Sequence, residues 1–376
     1  MKSAHILAVT RKEIRHILRD RGTLITVIFT PVLLLMFMAY ALTVDIQHVS
    51  LAVLDYDQSP TSRAFVQQIT AGSDLDLYGF VASYEEVERL LVRGEIKAAL
   101  VIGPTFANDL QTLRGLPLQV IIDGTEPDSG GFAVDHIARR AETFVTQALA
   151  NQLRQLGIDE RALTPIDIRI RAWFNPGLKP RNDLIPGLIS MILGMPALSV
   201  ALALAHEREH GTLEQLMATP IGRGELLIGK MLPYLLVGLV DVVLIPLLAI
   251  AWFDIRLNGS FLLYFMLSAV FLFAILSLGI LLGVFMPSQA SALALSFLVI
   301  FFPGFFLTGI FFPLVSLPEL VRLEAMFLPG TPYAIITRGI FLPALGIAEL
   351  WPYVVMLLFQ GVMFTGIAAL FFRKKL

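Results

Sequence analysis

Residues 207–230, EREHGTLEQLMATPIGRGELLIGK, gather charged and turn-forming residues between two long apolar runs, and the second half contains Gly224-Glu-Leu-Leu-Ile-Gly229-Lys230. Two glycines at this spacing before a lysine make most of a phosphate loop, in which backbone N–H groups cradle a nucleotide and the lysine meets its terminal phosphates. Two requirements are missing. A Ser or Thr must follow the lysine to hold magnesium, and Met231 stands there. A strand must also aim the loop, whereas this segment leads straight into an apolar run. Nucleotide binding here is not expected, and no other segment reads as an ATPase core. Asp55, Asp57 and Ser59 alternate as ligands do in a calcium loop. Pro60 and Val66 occupy the positions that need Gly and Glu, so turn chemistry at a strand end is expected instead. The chain has Cys 0, which excludes disulfides, thiolate zinc sites and a cysteine nucleophile. Asp241 is ionisable yet deep in an apolar run, roughly 15 Å from its start. Facing lipid would cost about 2.5–3.5 kcal/mol, so it should face protein or a wet cavity, touching a substrate or pairing with a neighbour.

These residues need a scaffold, and composition says which kind. With 56% hydrophobic and 15% charged residues and a mean hydropathy of +0.75, the chain is too apolar for a soluble domain of its length. A net charge of −2 gives no basic field for nucleic acid. A bilayer core about 30 Å thick asks for about 20 apolar residues per helix. Runs at 22–44, 184–205, 231–253 and 350–372 qualify, and a long uncharged stretch divides at Met286-Pro287-Ser288-Gln289 into 258–285 and 290–312. The expectation is six transmembrane helices with both ends on one side. Lys2, Arg11, Lys12, Arg15, Arg19 and Arg21 before the first span, and Arg373, Lys374 and Lys375 after the last, make that side cytoplasmic. The first run exceeds the apolar length of a cleavable leader, so it reads as an anchor.

Within 1–21, Ile6, Leu7, Ile14, Ile17 and Leu18 recur at helical spacing among cations, as in an amphipathic helix lying in the membrane interface. Residues 45–183 alternate strand-like and helix-like pieces: SLAVLDYD, then PTSRAFVQQI opened by proline, a capping box at Ser83 and Glu86, the buried strands IKAALVIG and LQVIIDG, a long helix over about 128–156, and the strand DIRIRAWF. The order suggests an extracytoplasmic α/β domain inserted between the first two spans. Residues 313–348 are too apolar for a loop and too rich in proline for one straight span. They are expected to re-enter the membrane from outside or cap the helices, as a roof over an exit path or as plain surface helices. Gly279 and Gly283 form a GxxxG suited to close helix packing.

The segments HEREHGTLEQLMATPI (206–221) and GELLIGKMLPY (224–234) closely resemble the cytoplasmic signature of ABC-2 type transporter permeases, the membrane subunits of one class of ABC exporters. RAWFNPGLKP, LTGIFFPLVSLPE and PGTPYAIITRGI extend the resemblance over nearly the whole chain, toward the larger members with an extracytoplasmic domain. The resemblance implies a permease of the bacterial inner membrane, without its own ATPase, that couples ATP hydrolysis by separate cytosolic ABC ATPase subunits to export of amphipathic or hydrophobic compounds, drugs among them. It implies no cofactor in this chain, ATP and magnesium in the partner, a second permease copy or paralogue, contact with membrane lipid, and in some relatives a periplasmic adaptor. A coupling helix over about 207–220 would dock on the ATPase, with Glu207, Arg208, Glu209, Gly211, Thr212, Glu214 and Gln215 as its residues. The local chemistry is compatible. Thr212 and Gln215 match a capping box, Gly211 permits a sharp exit, Pro220 ends the helix, and Glu207, Arg208, Glu209 and Glu214 would be exposed charges. A solvated polar loop is the plainer alternative. The same resemblance puts the second and fifth helices on the central path, making Met191, Met195, Phe297, Phe301 and Phe305, with Asp241, candidates for a substrate surface; core packing or lipid contact would also account for them.

Two other functions compete. A membrane-anchored sensor or assembly scaffold would bind a ligand or partner through the α/β domain, but would need neither the charged island nor six spans. A proton-driven transporter is disfavoured because Asp241 alone offers an intramembrane proton site and no repeated halves are visible.

Overall fold

The computed structural model describes residues 3–19, 21–42, 48–72, 74–112, 118–125, 127–155, 173–174, 180–212 and 221–372. Several expectations fall outside these residues: Glu214, Gln215 and the coupling helix beyond 212, the strand at 167–172, Lys2, and the cations after 372. The chain divides into two compact units, Met1–Thr43 with Arg171–Leu376, and Val44–Ile170.

The second unit is an α/β body. Its strands are β1 (Val49–Asp55), β2 (Leu75–Phe80), β3 (Ala98–Ile102) and β4 (Leu118–Ile122), in the order β2-β1-β3-β4. β1 is parallel to β2 and β3, and β4 is antiparallel to β3. Alternation along the strands feeds two cores. Val49, Leu51 and Val53 with Ala98, Leu100 and Ile102 pack against Phe65 and Phe106, while Ala52, Leu54, Ala99 and Val101 meet Val87 and Leu90 on the other face. Each large side chain buried here is worth about 1.5–3 kcal/mol. The helices are α3 (Pro60–Ile69), α4 (Tyr84–Val92), α5 (Phe106–Thr112) and α6 (Pro127–Gln155). Ser83 caps α4 through the Glu86 N–H, and the Glu86 carboxylate accepts from the Ala82 N–H rather than from Ser83 itself. Asp55 is used up locally: its carboxylate accepts from the N–H groups of Asp57 and Gln58 and from the Ser62 hydroxyl.

The first unit is helical: α1 (Ser3–Arg19), α2 (Arg21–Leu42), α7 (Arg181–Ile192), α8 (Met195–Glu209), α9 (Arg223–Phe253), α10 (Phe261–Phe285), α11 (Gln289–Ser296), a π-helical turn (Phe297–Phe301), α12 (Phe302–Phe306), α13 (Glu319–Phe327), α14 (Gly330–Phe341) and α15 (Ile347–Phe371). Five helical stretches among the described residues are long and apolar enough to cross a membrane: Arg181–Glu209, Arg223–Phe253, Phe261–Phe285, Gln289–Phe306 and Ile347–Phe371. In α2 the part whose side chains are described, Ile28–Leu42, is apolar as well.

Two boundaries differ from the sequence reading. The helix expected to begin at 231 begins at Arg223, because its charged first turns are packed against protein rather than exposed to lipid. The span expected over 290–312 ends at Phe306 and is wound through a π turn. The 313–348 segment resolves into the exposed α13, with Leu320 80% exposed, and the buried α14, whose Tyr333, Ala334, Ile336 and Ile340 are fully enclosed. α10 lies at the centre against α8, α9 and α15. Gly279 and Gly283 bring it onto the backbone of Ala197 and Ala201; a Cβ on Gly283 would stand 2.9 Å from the Ala201 carbonyl.

Candidate functional site

The heptad Gly224–Lys230 lies wholly inside α9, so there is no loop to wrap a phosphate. Gly229 instead lets α1 approach: a Cβ there would sit 2.7 Å from the Val9 Cβ. Across this contact the Thr10 hydroxyl donates to the Ile6 carbonyl and reaches the Gly229 carbonyl at 3.2 Å.

Lys230 belongs to a cluster of four charges, three of them buried. Its ammonium is 2.6 Å from Glu207 at the end of α8 and 3.2 Å from Glu13 on α1. Lys12 lies 2.8 Å from Glu207 and 3.3 Å from Glu13. The Lys230, Glu13 and Glu207 side chains are only 3%, 5% and 10% exposed, while Lys12 is 51% exposed. Two cations against two anions leave the cluster neutral, which is what makes such burial tolerable. Burial lowers the Lys12 pKa, but its hydrogen bond to Glu207 and the charges of Glu207 and Glu13 outweigh that and hold it above the ordinary lysine value. A further link, His5 Nδ1 to Glu225 at 2.7 Å, joins α1 to the first turn of α9.

The other side of the α8 terminus reaches the turn between α10 and α11. Arg208 donates to the Met286 carbonyl at 3.1 Å. The Glu209 carboxylate accepts from the Gln289 backbone N–H at 3.0 Å and from its side-chain amide at 3.3 Å. It thus places negative charge at the N-terminus of α11, where the helix dipole favours it. The chain then turns at Gly211, whose φ of 70° is a left-handed conformation that L side chains rarely adopt. The Thr212 hydroxyl donates back to the Glu207 carbonyl at 3.1 Å.

This geometry corrects one expectation. Glu207 is not an exposed docking charge; it is buried, because two lysines compensate it. Arg208 and Glu209 are engaged with the α10–α11 turn, although Glu209 and His210 keep exposed surface. Sequence reasoning missed Glu13, Lys12 and Lys230 as partners. The signal for Lys230 was present, a cation at the edge of a long apolar run.

The pathway candidates separate. Met191 lines a small cavity with Ser190, Gly194, Pro303, Gly304 and Thr308, between α7, α10, the π turn and the start of α14. Phe297, Phe301 and Phe305 do not line it. Phe297 stacks on Phe301 with centroids 4.6 Å apart and is 49% exposed; Phe305 packs on Phe311. Met195, in the first turn of α8, is half-buried and does not line it either. Asp241 is fully buried in α9, faces protein, and neither carboxylate oxygen has a hydrogen-bond partner among the described residues. The Pro303-Gly304 pair was the readable sign of the cavity, since it interrupts an apolar helix. Among the described residues no cluster could hold a metal ion.

A family model described as ABC-2 family transporter protein matches residues 21–370. The chain is 27% identical over 374 residues to the probable multidrug ABC transporter permease YbhS of Escherichia coli K12, covering 99% of this chain and 97% of that protein. It is 25% identical over 370 residues to the probable multidrug ABC transporter permease YbhR of the same organism, covering 97% of each. It is also 27% identical over 373 residues to the inner membrane transport permease YhhJ, covering 97% of this chain and 96% of that protein. The chain therefore belongs to the ABC-2 family of transporter proteins, as a membrane permease of an ABC transporter.

Proposed function

We propose that the chain is the permease of an ATP-driven exporter for amphipathic or hydrophobic compounds, powered by separate ATPase subunits that dock on the turn after α8. The observation that carries this reading is the way the α8 terminus is tied: buried charges hold it to α1 and α9, and Arg208 and Glu209 hold it to the α10–α11 turn. A push at Gly211 is then shared among several helices, as transmission between alternating inward and outward states requires. Arg208, Glu209, Gly211 and Thr212 remain the proposed coupling residues, with Glu214 and Gln215 beyond them. Glu207 acts here as the internal anchor of that element.

In this reading α2 is a sixth span, both termini and the 207–220 segment are cytoplasmic, and the membrane is the bacterial inner membrane. The unit 44–170 is extracytoplasmic and is the surface an adaptor would use. A second copy or paralogue completes the transport path, with Met191 and the cavity beside Gly304 on its inner lining. The multidrug names of YbhS and YbhR support the substrate class. The test is to co-purify the chain with candidate ATPases and measure substrate-stimulated hydrolysis after Glu209→Ala and Gly211→Pro. The expected result is lost stimulation in both, with folding retained in Glu209→Ala and the turn re-aimed in Gly211→Pro, since proline cannot take the left-handed φ found there. Unchanged ATPase binding and unchanged stimulation in both variants would overturn the docking assignment.

A further inference from the structure

A second feature lies on the outer side of α1. Where α1, α2 and α9 meet, Ile14, Leu18, Ile28, Pro233, Leu236 and Val240 border an open groove of about 250 Å³, and among the described residues its lining is apolar throughout. That volume is just below the range of drug-sized sites, which suits a length of hydrocarbon chain better than a compact molecule. Leu18, Leu236 and Val240 are 61%, 51% and 46% exposed, so the groove opens outward rather than into the core. Along α9 it runs from Pro233 to Val240, about 10 Å of a helix of membrane-spanning character.

The charge beside it is specific. Leu7, Ile14 and Leu18 form one outward row on α1, and Arg11, Arg15 and Arg19 form the next row round the helix, each exposed. None of these arginines makes an ion pair among the described residues, whereas Lys12 and Glu13 on the same helix are committed to the buried cluster. An apolar slot on a helix whose neighbouring row is exposed arginines, without an ion pair among the described residues, fits a ligand with a hydrocarbon chain at one end and an anion at the other.

We propose that this groove binds one anionic phospholipid, its acyl chain between Leu18 and Val240 and its phosphate held by Arg15 and Arg19. Arginine supplies planar, bidentate donors for phosphate and stays charged at every physiological pH. The bound lipid bridges α1 and α9, the two helices that Glu13 and Lys230 already join, so it braces the charged junction from the membrane side. The inference rests on the membrane-spanning character of α9, not on the transport cycle proposed above.

The test uses the full chain in detergent micelles, with dioleoyl phosphatidylglycerol or dioleoyl phosphatidylcholine added at equal concentration and the retained lipid read by native mass spectrometry. One basic side chain near an anionic surface is worth roughly a fivefold change in affinity, so Arg15 and Arg19 together give about a 25-fold preference for phosphatidylglycerol. The double variant Arg15→Gln/Arg19→Gln should reduce that preference to within about twofold. Val240→Trp, which fills the groove from an exposed position, should lose the retained lipid with unchanged thermal unfolding. Arg322→Gln, which removes a cation elsewhere, should leave retention intact. Equal retention of the two lipids by the parent chain would overturn the proposal. So would undiminished phosphatidylglycerol retention in both the arginine double variant and Val240→Trp, or loss in Val240→Trp of an added amphipathic cargo with phosphatidylglycerol unaffected.

Discussion

Replacing Lys230 with methionine isolates the buried cluster. The substitution preserves length and roughly the volume, and removes the cation that lies 2.6 Å from Glu207 and 3.2 Å from Glu13. Glu13, only 5% exposed, would then have Lys12 at 3.3 Å as its nearest cation, and Lys12 is half in solvent and screened. Breaking a buried pair from one side costs about 3–5 kcal/mol, because the remaining charge keeps its desolvation penalty and loses its compensation. At about 1.4 kcal/mol per tenfold, that is a hundredfold or more in the ratio of folded to unfolded chain. Unfolding of a membrane protein is commonly irreversible, so the assay is the half-life of the detergent-solubilised chain at fixed temperature, followed by monodispersity on gel filtration. The triple variant Glu13→Gln/Glu207→Gln/Lys230→Met removes the orphaned anions as well and should recover most of the loss. Refutation would be a Lys230→Met chain as durable as the parent, or a triple variant no better than the single one. Either would mean that the junction is held by the packing of Val9 on Gly229 and not by charge.

Four further expectations can be measured. Asp241→Leu removes two buried, unpartnered oxygens and should raise thermal stability, by about 1–3 kcal/mol; a lower melting temperature would show that the carboxyl has a partner. Gly283→Val forces side-chain atoms against the Ala201 backbone and should sharply reduce the monodisperse fraction, while a wild-type profile would show that α8 and α10 do not meet as described. Glu209→Ala should leave the melting temperature nearly unchanged yet disconnect the α10–α11 turn, read as faster amide exchange at 288–291; unaltered exchange would contradict the contact. Lys12 has a raised pKa, so its contribution to stability is complete below the ordinary lysine value of 10.5 and declines as pH rises through the higher folded value. Lys12→Met should therefore flatten the stability profile above that pH, and an unchanged slope would remove Lys12 from the cluster.

The sequence made the spans and the α/β strands easy to read where burial follows a simple rule. PTSRAFVQQI became α3 with its boundaries as expected, and the alternation in SLAVLDYD placed Val49, Leu51 and Val53 on one face of the sheet. β2 escaped notice because it is an edge strand, largely exposed and interrupted by Gly79, so it lacks the hydrophobic signature. The start of α9 was set late for a related reason. A hydropathy rule excludes Arg223, Glu225 and Lys230 from a buried helix, and the partners that make Lys230 and Glu225 tolerable sit on α1, far away in the chain. Glu207 was misread in the same manner, its charge suggesting exposure while its compensation came from Lys12 and Lys230. Helical periodicity did identify α1 as two-faced, but it could not tell which apolar row meets α9 and which borders the groove. That distinction depends on where Gly229 allows close approach.

The ion pair between Glu13 and Lys230 closes a sequence separation of 217 residues. At about 5–20 residues per second on the ribosome, the amino-terminal helix waits roughly 10 to 40 s after it is made before its counter-charge exists. During that interval Glu13 has Lys12 beside it but neither Lys230 nor Gly229's cleft, so α1 can settle only after most of the body has been inserted. Docking of the earliest-made element is thereby a late event in biogenesis, and a chain arrested before residue 230 should carry that helix loose and open to protease.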